Sequence, residues 1–396
     1  MPSLRKLTRN AREAWEVPRD LLLGRYPEFV TGGPLPRGHV PVFVFHSLDP
    51  ELFGRRLAYL AENRYVTLSA DEYFQYLMGV RPAPDRAVVL TFDDGRSSVR
   101  TIGLPLMRRY GMKGIVFIVP GRTASRPGPL PPTWTDVLEG RAKPEPILAR
   151  ESDTDAFLSW EEIDDLVRSG LFDIHSHSLS HARVHTTSQV AGFMTPELRK
   201  GYGPLDIPLI HDAGRDLAPS EIPLGTPLFR SEPRLSEALR FYEDPSVREA
   251  CVARVAEEGG EGFFWRKGWE EELRRLLARR PAGGRLESPA DREAAIRREL
   301  AESKELIGER TGRPAIHLCY PWHVSGPTAQ RVAREVGYRT AFCGKVPGMP
   351  ITLPAGDPHA SARIGEDYVE LLPGEGRSGL ASVLRSKLAR RLKGLK

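Results

Sequence analysis

The chain is 396 residues long, 40% hydrophobic and 28% charged, and its 57 basic against 52 acidic side chains give a formal net charge of +5. That composition leaves room for one large α/β domain or two modest ones, and it excludes a disordered, collagenous or disulfide-stapled chain. Cys251, Cys319 and Cys343 are too few and too scattered for a disulfide framework or a zinc ribbon, and they point to a reducing compartment.

Residues 1–26 are basic and amphipathic, with Leu4, Leu7, Ala11 and Trp15 at helical spacing among Arg5, Lys6, Arg9 and Arg12. Leu21-Leu22-Leu23 is too short for a secretory leader or a spanning helix, so cytoplasmic residence is expected, peripheral at the inner membrane face. Residues 31–39 read as a linker. A strand over 40–46 ends in His46, a helix covers 50–63, a short strand follows near 65–68, and another helix starts at Ala70. The apolar run 88–92 reads as a strand buried on both faces, and it ends in Asp93-Asp94-Gly95. An amphipathic helix over 97–110 and a strand over 114–119 come next. Residues 120–150, rich in Pro, Gly and Arg, read as a long surface loop. Ser159-Trp160-Glu161-Glu162 opens a helix with a capping box. Strands alternating with helices predict a parallel sheet closed, or nearly closed, into a barrel with its chemistry at the strand C-termini.

Two motifs carry chemistry. Adjacent residues on an extended chain point in opposite directions, so Asp93 and Asp94 cannot share one task. Two carboxylates at a buried strand end are costly unless a cation or proton neutralises them; a plain turn with capping aspartates is the bland alternative. In the segment Asp173–His181, His177 and His181 lie four apart with small hydroxyl residues between them. That spacing lets both imidazoles face one point, and a carboxylate from elsewhere would complete a two-His, one-Asp metal set with open positions.

Thr91-Phe92-Asp93-Asp94-Gly95 followed by His177-Ser178-Leu179-Ser180-His181 resembles the first two motifs of the polysaccharide deacetylases, the NodB-homology domains of carbohydrate esterase family 4. The resemblance implies a distorted (β/α) barrel over 38–185 and 290–365, with a large insertion at 186–289 and amphipathic ends at 1–37 and 366–396. It implies that Asp94, His177 and His181 hold a divalent metal, zinc in first place, and that Asp93 is the general base. His46 looks like the strand-end histidine that serves as general acid in the branch acting on poly-N-acetylglucosamine. Tyr320-Pro321-Trp322 is similar to the third motif, which implies a place for Tyr320 and Trp322 at the substrate and for the Trp322 N–H at the oxyanion. That motif commonly begins with an arginine bracing the catalytic carboxylate. Cys319 stands there instead, and Arg363, on a predicted last strand over 361–364, is the candidate brace.

Within 186–289 the first half is rich in Pro and Gly. The second half reads as helices near 245–257 and 268–280, with Phe263, Phe264, Trp265 and Trp269 between and at the start. A lid or sugar-binding wall is one reading, and an independent subdomain with core aromatics is the other. A long charged helix follows over 290–310. In the tail, Leu380, Val383, Leu384, Leu388, Leu392 and Leu395 share one face with basic residues around them. That pattern suits an interfacial helix on an anionic membrane or a helix docked on the barrel.

The expected function is therefore metal-dependent removal of an N-acetyl or similar acyl group from an amino sugar in a polysaccharide, oligosaccharide or lipid-linked glycan. The alternatives are deacylation of a non-sugar amide, or a non-catalytic carbohydrate-binding or membrane-surface protein on the same fold. Nucleic acid is not expected as a partner, since no recognisable module or aromatic interleaving accompanies the basic residues.

Overall fold

The structure is a computed structural model that describes residues 19–21, 23–279, 283–347 and 349–392. Most of the amphipathic N-terminal stretch expected over 1–26 therefore lies outside the described residues, as does the end of the tail.

The first strands are β1 (Val42–Phe45), β2 (Val66–Thr67), β3 (Ala87–Phe92), β4 (Gly114–Ile118) and β5 (Phe172–Ser176). The intervening segment carries β6 (Arg183–Phe193), β7 (His211–Asp212), β8 (Arg215–Asp216), β9 (Pro227–Pro233), β10 (Phe241–Glu243) and β11 (Gly284–Leu286). The chain returns to the sheet with β12 (His317–Cys319), β13 (Thr340–Lys345) and β14 (Ser361–Gly365). Going round, β1, β14, β13, β12, β5, β4 and β3 pair in parallel, and β3 pairs back to β1 to close the barrel. The short β2 pairs with the N-terminal end of β3.

Strand alternation sorts the side chains into two layers. Phe43, Phe45, Val88, Leu90, Phe92, Val116, Ile118, Phe172 and Ile174 pack outward against the helices. Val42, Val89, Ile115, Phe117, Cys319 and Phe342 fill the interior, together with Leu68 and with Tyr73, Tyr76 and Leu77, which plug it from the helix Ala70–Leu77. The same parity places His46, Asp93, His177, Cys319 and Arg363 on the inward side where the strands end.

Several expectations are revised. Residues 120–150 are not one loop: helices Trp134–Leu138 and Pro144–Arg150 form there, and buried Arg150 holds Glu162 at 2.6 and 2.7 Å. The predicted helix over 97–110 begins as a π turn, Val99–Gly103, before becoming α-helical at Leu104–Tyr110. The Pro-Gly half of 186–289 contains an antiparallel ribbon of β6 and β9 with two register irregularities, which is why no clean alternation marked it. Among its aromatics, Phe263 is fully buried with Phe264 and Trp269 packed beside it, whereas Trp265 is 85% exposed. Three of the four are therefore packing residues.

The C-terminal helix Leu380–Leu392 docks on the barrel flank through buried Val383 and half-buried Leu380, while Leu388 stays exposed. Lys387 and Arg390 pair with Asp367, so part of the tail's basic face is spent within the chain. A cleft of about 500 Å³ lies between this helix and the helix Pro50–Glu62, lined by Arg55, Tyr59, Glu370 and Ser382 among others, and none of its lining belongs to the two sequence motifs. Among the described residues, no helix is long and apolar enough to cross a membrane.

Candidate active site

The Asp93–Asp94 pair reaches the barrel mouth in two different ways. Asp93 faces inward by strand parity, and its N–H donates to the Phe45 carbonyl, which sets it beside His46. Asp94 would face outward by the same parity. Its left-handed backbone (φ 70°), followed by Gly95 at φ 67°, turns its carboxylate back toward the histidines. A Cβ on Gly95 would also stand 3.2 Å from the Ile118 side chain, so glycine suits this turn twice over.

Asp94 Oδ1 lies 3.5 Å from His177 Nε2 and 3.6 Å from His181 Nε2, and all three groups are buried. These are poor hydrogen-bond lengths. They match the spacing of about 3.4 Å between ligands that each sit about 2.0–2.2 Å from a tetrahedral zinc. His177 Nδ1 lies 2.8 Å from the Cys319 carbonyl and donates to it, which turns Nε2 to Asp94. Burial opposes charge on this ring, but Cys319 and the two aspartates outweigh it and hold it well above the usual imidazole range, so a cation there would take the place of the Nε2 proton. Burial pushes the His181 imidazole down to about 3, so it is neutral and free to ligate. The three lone-pair donors fit a divalent cation.

The histidine loop is tight. Ser178 and His181 both take positive φ (62° and 56°), and the Ser178 hydroxyl accepts from the His181 N–H at 3.1 Å. Glu299 holds it from the helix Pro289–Thr311. Its carboxylate accepts from the Ser180 N–H at 3.0 Å and from the Ser180 hydroxyl, and its carbonyl accepts from the Leu179 N–H. Sequence reading missed Glu299 because it lies 118 residues beyond His181 in a helix with many acidic neighbours. Glu299→Ala is expected to weaken metal binding about 10- to 100-fold, the usual effect of losing an outer support, as read by competition with a chelating dye. Unchanged affinity would remove Glu299 from the site.

Arg363 reaches across from β14 to Asp93, with Nη1 2.7 Å from Oδ1 and Nη2 2.8 Å from Oδ2. Burial opposes charge on Asp93, but this guanidinium outweighs it and holds the carboxyl well below the usual range. Cys319 faces the same carboxylate, its Sγ 3.7 Å from Oδ2, and burial keeps the thiol protonated. His323 Nδ1 lies 3.2 Å from Arg363 Nη2. Asp94 has its own guanidinium: Arg96 Nε and Nη2 donate to Oδ2 at 3.0 and 2.7 Å. The expectation that a cation or proton neutralises the pair is met by two guanidinium groups, one on each aspartate. The case for a metal rests on the converging imidazoles.

His46 leaves β1 beside Asp93, within electrostatic reach of both aspartates. Burial pushes it down to about 4, with Asp94 pulling the other way, so it is neutral at pH 7. Trp322, in the left-handed region at φ 60°, walls the mouth with its ring 4.8 Å from His181 and the Arg183 guanidinium 5.0 Å from its own face. Tyr320 is not in the site. Strand parity turns it outward into the layer of Leu300, Val332 and Tyr338, and its hydroxyl faces the Ala329 carbonyl at 3.5 Å.

Residues 80–197 match the family model described as polysaccharide deacetylase. That match covers under a third of the chain, and over it the chain is similar to the polysaccharide deacetylases. It is 27% identical over 134 residues to the poly-beta-1,6-N-acetyl-D-glucosamine N-deacetylases of Escherichia coli K12 and of Escherichia coli O157:H7, an alignment covering 34% of this chain. The chain spans only 18% of the length of these curated relatives. Among solved structures, a de-N-acetylase from Aggregatibacter actinomycetemcomitans superposes with a TM-score of 0.50 at 16% identity, over 88% of this chain and 99% of that one. That likeness supports the deacetylase barrel as the fold.

Proposed function

We propose that this polysaccharide deacetylase domain is a metal-dependent hydrolase that removes an N-acetyl group from an amino sugar of a glycan. The convergence of Asp94 Oδ1 with two imidazole Nε2 atoms beside a second, arginine-braced carboxylate carries this reading. Asp94, His177 and His181 would hold the cation, and zinc suits a set of two imidazoles and one carboxylate. When bound, such an ion supplies Lewis acidity, lowering the pKa of a water and polarising an amide carbonyl.

The chain's own groups do the rest. Asp93, kept anionic by Arg363, accepts a proton from the attacking water. The Trp322 backbone N–H would donate to the developing oxyanion. His46, neutral in the free site, takes up a proton as negative charge develops beside it and passes it to the departing amine.

A non-catalytic protein on this fold loses its main support. Cys319 stands where the third motif commonly has an arginine, but the Arg363 guanidinium lies against both Asp93 oxygens from another strand. The test is acetate release from N-acetylglucosamine oligomers by metal-loaded protein; metal uptake without release from any N-acyl amino sugar would reject the proposal. For the substrate we propose a glycan presented at an anionic membrane face, supported by exposed Leu388 on the basic C-terminal helix. Deleting residues 380–396 should then reduce binding to anionic liposomes, and unchanged binding would reject membrane contact through the tail.

A further inference from the structure

Arg96 is buried and stands two residues beyond Asp94. Two of its N–H groups, Nε and Nη2, converge on one carboxylate oxygen, Oδ2, at 3.0 and 2.7 Å, and its Nη1 donates to the Ser47 hydroxyl at 2.9 Å. Both lone-pair directions of Oδ2 are therefore committed, while Oδ1 alone faces the imidazoles. The guanidinium is covered in turn. Its carbon lies 3.4 Å from the centre of the Tyr202 ring, a close stack that leaves no room for water between them. Tyr202 comes from the segment between β6 and β9, and its ring packs edge-on against Phe157 at 5.4 Å. The loop after Asp94 is pinned to the same place, through Ser97 N–H to the Ala156 carbonyl and Leu158 N–H to the Gly95 carbonyl.

We infer that Arg96 and Tyr202 are positioning residues that restrict Asp94 to one ligand oxygen, so that segment 186–289 is a working part of the metal site. A free carboxylate can bind a cation through one oxygen or two. Held by Arg96, Asp94 offers only Oδ1, and the coordination position that Oδ2 would occupy stays open for water or a substrate oxygen. The guanidinium also places a fixed positive charge near the cation, which weakens binding and strengthens the Lewis acid. Tyr202 adds no charge; it keeps Arg96 from swinging away from Oδ2. This inference rests on the metal-dependent reading above, and the test separates the two.

The full chain is titrated with Mn²⁺, and affinity and the number of rapidly exchanging bound waters are read by water-proton relaxation. Wild type should bind one ion. Arg96→Met should bind about tenfold more tightly, with the opposing charge gone, and with one bound water fewer, because Oδ2 now coordinates. Tyr202→Leu should shift both readings in the same direction by less, and Tyr202→Phe, which keeps the stacking face, should match wild type. Should Arg96→Met fail to fold, Tyr202→Leu and Tyr202→Phe still decide the matter. Tyr202→Leu indistinguishable from wild type in affinity and bound water overturns the inference. No Mn²⁺ uptake by wild type overturns the metal reading beneath it.

Discussion

Asp93→Asn is expected to yield a folded protein that still takes up one divalent cation yet hydrolyses amides about 10²- to 10⁴-fold more slowly, the usual worth of a positioned base. Asp94→Ala is expected to lose metal and turnover together. The contrast follows from geometry. Asp94 Oδ1 sits among the imidazole nitrogens, whereas both oxygens of Asp93 are taken up by Arg363 at 2.7 and 2.8 Å. Asparagine retains one acceptor for that guanidinium, so the fold survives while the base is gone. Metal content by elemental analysis, with kcat/KM on the same preparations, checks both variants. Normal turnover by Asp93→Asn would mean that the two aspartates have been assigned the wrong roles.

Arg363→Met carries the second large effect, and it reaches stability as well as rate. The Arg363–Asp93 pair is buried on both sides, and removing one member leaves an uncompensated carboxylate, a loss of about 3–5 kcal/mol measurable by denaturant unfolding. The pH dependence reverses sign. In the wild-type protein Asp93 has a folded-state pKa below its unfolded value, so its contribution is present above the ordinary carboxylate range and fades only in stronger acid. Without Arg363, burial dominates and raises that pKa above the unfolded value. The variant should then gain stability as pH falls through the raised pKa, and the acidic limb of its kcat/KM profile should move upward. An acidic limb at the wild-type position would show that Arg363 does not set the charge of Asp93.

Much of this architecture was legible because short-range patterns carry it. The apolar runs of β3 and β4, the Ser159–Glu162 capping box and the spacing of His177 and His181 are local features, and each forms as expected. The barrel follows from strand–helix alternation. The β6–β9 ribbon was invisible because its irregular register breaks the alternation that marks a strand. Tyr320 was misplaced because motif proximity was allowed to override strand parity. Tyr320 continues the extended backbone just past β12, where neighbours must face opposite ways, and Cys319 already takes the inward side.

By itself the sequence determined which groups could meet: two carboxylates at the end of a buried strand, a histidine loop at the end of another, and a closed parallel sheet to bring strand ends together. Tertiary structure alone decided how they share charge. Arg363 reaches Asp93 from 270 positions away, and Arg96 turns back on Asp94 under a ring from the intervening segment. The physical reason is that periodicity specifies a side chain's face, whereas the partner of a buried charge is set by which distant strands close the barrel and by one left-handed turn at Asp94.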